Sequence, residues 1–275
     1  MAGETHDETH DRAPDTPSFD TSVAHIARIQ DYWLGGKDNY EPDREAAEQA
    51  IAALPDMVAS VRNTRAFLAR AVRFLAAERG VRQFLDIGTG IPTADNTHEV
   101  AQAAAPESRV VYVDNDPVVL AHARALLNGT PAGATSYIDA DVRDTGTVLD
   151  AAREILDFGR PVAVMLIAIM QYVPDESDPY GVVRTLVDAV PSGSYVAISH
   201  PATDIQAARM ATMADRLNEA MAQTITLRSR DQVAAFLDGL DLVEPGLVRA
   251  PEWRPDVPAL ASTPSTMWSG VALKP

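Results

Sequence analysis

Apolar positions along this chain follow two rhythms, and the change between them divides it. From residue 20 to about 77 they recur at helical spacing. Val23, Ile26, Ile29, Tyr32 and Trp33 form one stripe, which ends at Gly35-Gly36, a helix stop. A second segment starts near Asp43, carries Ala46, Ala47 and Ala50, and closes at Leu54-Pro55. A third carries Val58, Val61, Phe67, Leu68, Val72, Phe74 and Leu75 and stops at Gly80. Beyond residue 81, short apolar runs at 83–87, 109–113, 135–138, 162–169 and 194–199 read as strands. The stretches 96–105, 117–127, 147–158 and 181–190 between them read as helices. Helices at 204–222 and 231–237 follow, and then short strands near 242–248 and 268–273 around a proline-rich stretch.

Strand–helix alternation predicts an α/β fold: a mostly parallel sheet with helices on both faces. The last two strands suit a closing antiparallel hairpin. The expected architecture is Rossmann-like and seven-stranded, preceded by an N-terminal helical extension. The expected division is a mobile acidic tail over 1–17, a helical lid or extension over 18–80 and a ligand-binding domain over 81–275.

Charge narrows the choice of partners. The chain has 39 Asp and Glu against 23 Lys and Arg, a formal charge of −16. The tail holds five acids and one Arg, so −4 belongs to it and −12 to the body. Such acidity disfavours nucleic-acid phosphates and anionic membrane. The absence of cysteine removes disulfides, thiolate-ligated zinc and thiolate nucleophiles. His6 and His10, four apart, read as part of a solvated segment, and no metal is expected. The longest apolar run, 162–170, is too short to cross a bilayer. No basic region followed by an apolar stretch opens the chain, so a cytoplasmic location is expected.

The first strand runs into Asp86-Ile87-Gly88-Thr89-Gly90. Glycine at the carboxyl edge of a parallel strand lets a ligand approach the backbone, where such sheets bind ligands. The second strand ends at Asp114, 28 residues after Asp86, where an acid can accept both hydroxyls of a ribose. The third leads to Asp139-Ala140-Asp141-Val142, where an acid can accept from an adenine amine. A dinucleotide needs its pyrophosphate at a helix N-terminus, usually through Gly-x-Gly-x-x-Gly. Here Pro92 and Ala94 follow, with no third glycine, and Asp86 suits an ammonium. Three acids at three successive strand ends favour S-adenosylmethionine over a nicotinamide dinucleotide.

These segments resemble the first three motifs of Rossmann-fold S-adenosylmethionine methyltransferases. More narrowly, the chain resembles the actinobacterial S-adenosyl methyltransferase family, long catalogued as a domain of unknown function. The resemblance is carried by Ala27-Arg28-Ile29-Gln30-Asp31-Tyr32-Trp33-Leu34-Gly35-Gly36-Lys37-Asp38-Asn39-Tyr40, by Asp43-Arg44 and by residues 83–93. Further matches are Asn96-Thr97-His98-Glu99-Val100, Tyr112-Val113-Asp114-Asn115-Asp116-Pro117 and Leu242-Val243-Glu244-Pro245-Gly246-Leu247. The chain departs at Gln171, where a His is common, at Asn63-Thr64-Arg65 in place of Ala-Asn-Arg, and at Pro92. The resemblance implies that Gly88 and Gly90 pass the methionine part of S-adenosyl-L-methionine, with Asp86 near its ammonium. Asp114, beside Asn115, would take the ribose, and Asp141 with the Val142 amide the adenine. Residues Ala168 to Tyr172 would line the sulfonium and acceptor side.

Two further groups of candidates remain. The Leu34–Tyr40 loop is expected to fold over the cofactor, with Tyr32, Lys37 or Asn39 reaching the site; a plain helix-terminating turn is the alternative. Arg65, with Arg62, suits the cofactor's carboxylate or a surface ion pair. Methyl transfer from a sulfonium needs a base only where the acceptor must lose a proton. His200 at the end of the fifth strand, His98 and Tyr172 are candidates for that role, and Gln171 for orienting the acceptor. No Asn-Pro-Pro-Tyr-like sequence follows the fourth strand, and a small-molecule acceptor is expected. The alternatives are a non-catalytic cofactor-binding sensor and a nicotinamide-dependent oxidoreductase.

Overall fold

The computed structural model describes residues 20–126 and 130–275. The expected tail over 1–17 and the last residue of the helix expected over 117–127 lie outside that range. Three helices open the described chain: α1 (Ile26–Leu34), α2 (Glu41–Ala53) and α3 (Met57–Arg73), the last running on into a π-helical turn, Phe74–Glu78. The sheet follows, with β1 (Gln83–Ile87), β2 (Arg109–Asp114), β3 (Ala134–Asp139), β4 (Ala163–Ile167) and β5 (Tyr195–Pro201) all parallel. Helices α4 (Thr97–Ala104), α5 (Pro117–Leu126), α6 (Thr145–Ala152) and α7 (Pro179–Asp188) connect them. Then come α8 (Ala207–Ala220), α9 (Arg230–Ala234), β6 (Asp241–Leu242), β7 (Val248–Arg249) and β8 (Met267–Leu273).

The strand order is β3-β2-β1-β4-β5-β8-β6, with β7 also paired to β8. Successive strands step outward from β1 to β3, and the chain then returns to place β4 on the other side of β1. That reversal opens a crevice at the carboxyl end of β1, where α/β sheets bind ligands. The sheet has eight strands among the described residues, one more than the sequence reading expects. The expected 242–248 strand is two short pieces, β6 and β7, both antiparallel to β8. Pro245 between them has no N–H for the ladder, and Gly246 turns the backbone left-handed at φ 91°.

Alternation along the strands separates two apolar layers. Leu85, Val111, Val164 and Ile198 face α6 and α7, packing on Val148, Leu149, Val183 and Leu186. Phe84, Val110, Met165 and Ala197 face the other way onto Phe67, Leu68, Ala71 and Val72 of α3. Helix α3 therefore completes a sheet layer, although it lies within the stretch expected to form a separate extension. Helices α1 and α2 pack instead on α8, through Ile29, Trp33, Ala47, Met210, Met213 and Leu217. Each such large apolar side chain stabilises by roughly 1.5–3 kcal/mol when fully buried. This third cluster sets α1 over the carboxyl end of the sheet. No helix among the described residues is long and apolar enough to cross a membrane.

Candidate functional site

Two adjoining cavities occupy the crevice. The outer one, about 330 Å³, is lined by Gly88, Gly90, Asp114, Asn115, Asp141 and Val142, and by His25, Ile26 and Gln30 from the α1 side. The inner one, about 90 Å³, is lined by Arg65, Asp86, Thr89 and Gln171 on its polar side. Trp33, Met57, Leu68, Met210 and Met213 line its apolar side. Ile26, Gln30, Gly88, Ala168 and Tyr172 border both.

Gly88 marks the junction. Its φ is +74°, and a Cβ there would stand 2.5 Å from the Ile169 side chain. Its N–H donates to the Val113 carbonyl at 2.8 Å, holding the turn against the end of β2. Glycine alone meets both demands without strain. The Gly90 N–H donates to Asp114 Oδ2 at 2.8 Å, while Asp114 Oδ1 accepts from the amides of Asn115 and Asp116. Burial raises the Asp114 pKa above the usual carboxylate value despite those amides. Asp141 behaves in the opposite way: the Arg143 guanidinium hydrogen-bonded to it lowers its pKa, and Asn115 Nδ2 donates to it at 3.2 Å.

Asp86 is buried, and its Oδ2 accepts from Thr97 Oγ1 at 2.6 Å. Burial pushes its carboxyl up to about 6, against the Thr97 bond and the Arg65 charge. A carboxyl poised near neutrality, beside the glycine turn, is a functional-site signature. Arg65 Nη2 reaches the Ala94 carbonyl at 3.2 Å, which holds the guanidinium at the same end of the inner cavity. Ala168 takes the left-handed conformation, φ 55°, and its carbonyl accepts from Gln171 Nε2 at 2.8 Å. That bend turns Gln171 and Tyr172 into the cavities. Burial drives the Tyr172 hydroxyl well above its usual range.

Five of the expected site residues lie elsewhere. His200 lines neither cavity. It is fully buried, with Nδ1 3.0 Å from the Pro201 carbonyl and Nε2 2.9 Å from Arg228 Nη1. Burial lowers its pKa to about 3, with the Arg228 charge adding to the effect. A neutral imidazole already using both nitrogens cannot take a proton from an acceptor. His98, likewise off both cavities, is tied to the Tyr112 hydroxyl at 2.8 Å.

The Leu34–Tyr40 loop is not the cover. The Tyr32 hydroxyl donates to Glu48 Oε1 at 2.6 Å, Lys37 is exposed, and Asn39 Nδ2 donates to Asp31 Oδ2 at 2.8 Å. The loop wraps the buried Asp31: Gly36 passes so close that a Cβ would meet Asp31 Oδ1 at 1.9 Å. Buried Asp43 finishes the clasp, accepting from the amides of His25 and Tyr40 and from Arg28 Nε. The conspicuous motif thus builds a helix corner, and the opposite face of α1 covers the cavities. Ile26, Gln30 and Trp33, at i, i+4 and i+7, form that face; polar Gln30 inside an apolar stripe was the readable signal. His25 Nδ1, 2.6 Å from Asp116 Oδ2, ties α1 to the start of α5. Burial works against the Asp116 charge, yet His25 holds its carboxyl below the usual value.

Among the described residues no group of three His, Cys, Asp or Glu is placed to hold a metal ion. The N-terminus of α4 is closed by an Asn96–Glu99 capping box, so the first helix after β1 has its end amides engaged and an acid in its first turn. That arrangement suits a cationic ligand and opposes a pyrophosphate.

Known proteins point the same way. The chain is similar over 93% of its length to a solved DUF574-family protein from Streptomyces avermitilis, at 45% identity and TM-score 0.90, covering 99% of that protein. It is similar over 92% of its length to a solved protein from Thermobifida fusca described as a methyltransferase, at 39% identity and TM-score 0.85, covering 96% of that chain. Among curated proteins, none matches. The model of the S-adenosyl methyltransferase family matches residues 12–275. With that match spanning nearly its whole length, the chain belongs to the S-adenosyl methyltransferase family.

Proposed function

We propose that the protein transfers a methyl group from S-adenosylmethionine directly to a small-molecule acceptor. The observation that carries this reading is the row of carboxylates at the ends of β1, β2 and β3, Asp86, Asp114 and Asp141, around two cavities that meet at Gly88. When bound, the cofactor supplies a methyl group on a sulfonium, with a neutral thioether as leaving group.

The chain's residues divide the binding work. Asp114 accepts from the ribose hydroxyls, and Asp141 with Asn115 and Val142 borders the adenine. Gly88 and Gly90 admit the methionine portion against bare backbone. Asp86 meets the ammonium and Arg65 the carboxylate. Because the Asp86 carboxyl sits at about 6, it accepts a cation best once ionised, and affinity strengthens as pH rises through that value. Ile26, Gln30 and Trp33 of α1 roof the site together with Met210 and Met213 of α8. Such a cover excludes water and holds donor and acceptor in line, where orientation supplies much of the rate.

Calorimetry with S-adenosylmethionine, its demethylated product and NAD tests the reading. Both sulfur compounds should bind and NAD should not; binding of NAD alone would overturn it. Cell extract incubated with methyl-labelled cofactor should yield a labelled small molecule, identified by mass spectrometry.

A further inference from the structure

Cofactor roles account for only one end of the inner cavity. Arg65 and Asp86 stand there. The remaining wall carries no charge: Met57, Met210, Met213 and Met267 line it together with the neutral polar side chains of Ser60, Thr64 and Thr266. Flexible, polarisable methionines suit a flat apolar guest. Tyr172 is the other titratable residue on this wall, and burial keeps its hydroxyl protonated. A charged guest in this end of the cavity would lose its hydration without a counter-ion.

The Ser60, Thr64 and Thr266 hydroxyls are paired, and among the buried side-chain polar atoms of this lining one is not. Gln171 is buried at 4% exposure, and its Nε2 donates to the Ala168 carbonyl. A carbonyl only accepts, so this bond decides which way the amide points. The other amide atom, Oε1, is buried without any hydrogen-bond partner. Leaving such an oxygen unpaired costs about 1–3 kcal/mol, which a guest bearing a donor would recover. Gln171 lines the inner cavity, and the turn that holds it begins at Ala168, which borders both cavities.

We infer that Gln171 Oε1 anchors the methyl acceptor, and that this acceptor is an uncharged, apolar molecule presenting a nitrogen with both an N–H and a lone pair, such as an aromatic amine. The inference rests on the methyltransferase reading above. The N–H bonds to Oε1, which aims the lone pair of the same nitrogen at the methyl carbon. The nitrogen–carbon bond forms as the sulfur–carbon bond breaks, and the sulfur keeps that electron pair as a neutral thioether. The methylated nitrogen, now cationic, then releases its proton to water. A carboxamide oxygen accepts a hydrogen bond but no proton near neutral pH, so a phenol, which must shed its proton, is poorly served. His at this position would serve it better.

The test uses the full chain loaded with S-adenosylhomocysteine, titrated calorimetrically with 1-naphthylamine, 1-methylnaphthalene and 1-naphthoate. The amine should bind about tenfold tighter than its methyl isostere and tighter than the carboxylate. Gln171→Leu should bring the amine down to the isostere's affinity, while S-adenosylhomocysteine binding, unchanged, reports an intact fold. With the methyl donor present, 1-naphthylamine should be methylated faster than 1-naphthol, and Gln171→His should raise naphthol turnover with pH. Equal affinity for amine and isostere, an unaffected Leu variant, or preferred methylation of naphthol overturns the inference while leaving the cofactor assignment standing. Failure to bind S-adenosylhomocysteine overturns both.

Discussion

Replacing Asp86 by asparagine separates what this carboxyl does for binding from what it costs the fold. The side chain is 4% exposed, and one oxygen accepts from Thr97 at 2.6 Å. Its pKa rises from 3.8 to about 6, chiefly through burial. The folded chain therefore holds the Asp86 proton more tightly than the unfolded chain does. Stability from this source is complete below about pH 4 and is lost as pH rises through about 6. At ~1.36 kcal/mol per decade of proton affinity, the loss approaches about 3 kcal/mol above pH 7. Asparagine keeps the shape and an acceptor for Thr97 and carries no charge. Urea unfolding of both proteins at pH 4, 6 and 8 isolates the effect, because other titrating groups cancel in the difference. Asp86→Asn should match the parent at pH 4 and exceed it by up to about 3 kcal/mol at pH 8. Its affinity for S-adenosylmethionine should fall roughly 10- to 100-fold, the value of a charge-assisted hydrogen bond. A variant no more stable than the parent at pH 8 would refute the assignment of a strained, buried carboxylate.

Gly88→Ala combines a left-handed backbone with a Cβ 2.5 Å from Ile169; cofactor affinity should drop by about tenfold or more, from strain of roughly 1–3 kcal/mol. Asp114→Asn should weaken binding of S-adenosylhomocysteine about 10- to 100-fold, read by calorimetry. The Tyr32→Phe/Lys37→Ala double variant should leave cofactor affinity within about twofold, because neither residue borders a cavity. Gly36→Ala, whose Cβ would meet Asp31 at 1.9 Å, should instead destabilise the fold by about 2 kcal/mol or more in urea titrations, since the clasp cannot close.

Much of this molecule is local in origin and therefore readable residue by residue. Gly35 ends α1 in the left-handed region because of sterics within one residue, and Val110-Val111-Tyr112-Val113 forms a strand because both its faces are apolar. The glycine turn after β1 and the acids at the strand ends also follow from short-range pattern plus the rule that parallel sheets bind ligands at their carboxyl edge. What was missed depends on residues far apart in sequence. Whether Tyr32 or Gln30 faces the cavities depends on which side of α1 meets α8, nearly 180 residues later. His200 sits at the end of β5 as a candidate base should, yet Arg228 makes it a buried neutral brace. Helix α3 reads like its two predecessors and joins the sheet instead.

Backbone sterics and hydrophobic period act over a few residues, so the chain of amino acids alone specifies its elements, its sheet type and the carboxylates at its strand ends. Burial and electrostatic environment arise only when distant segments meet. Packing alone decides that Asp86 titrates near 6, that His200 is neutral, that four methionines share a wall, and that Gln171 Oε1 lacks a partner. Desolvation and shape are properties of an enclosed volume, and no single stretch of this sequence encloses one.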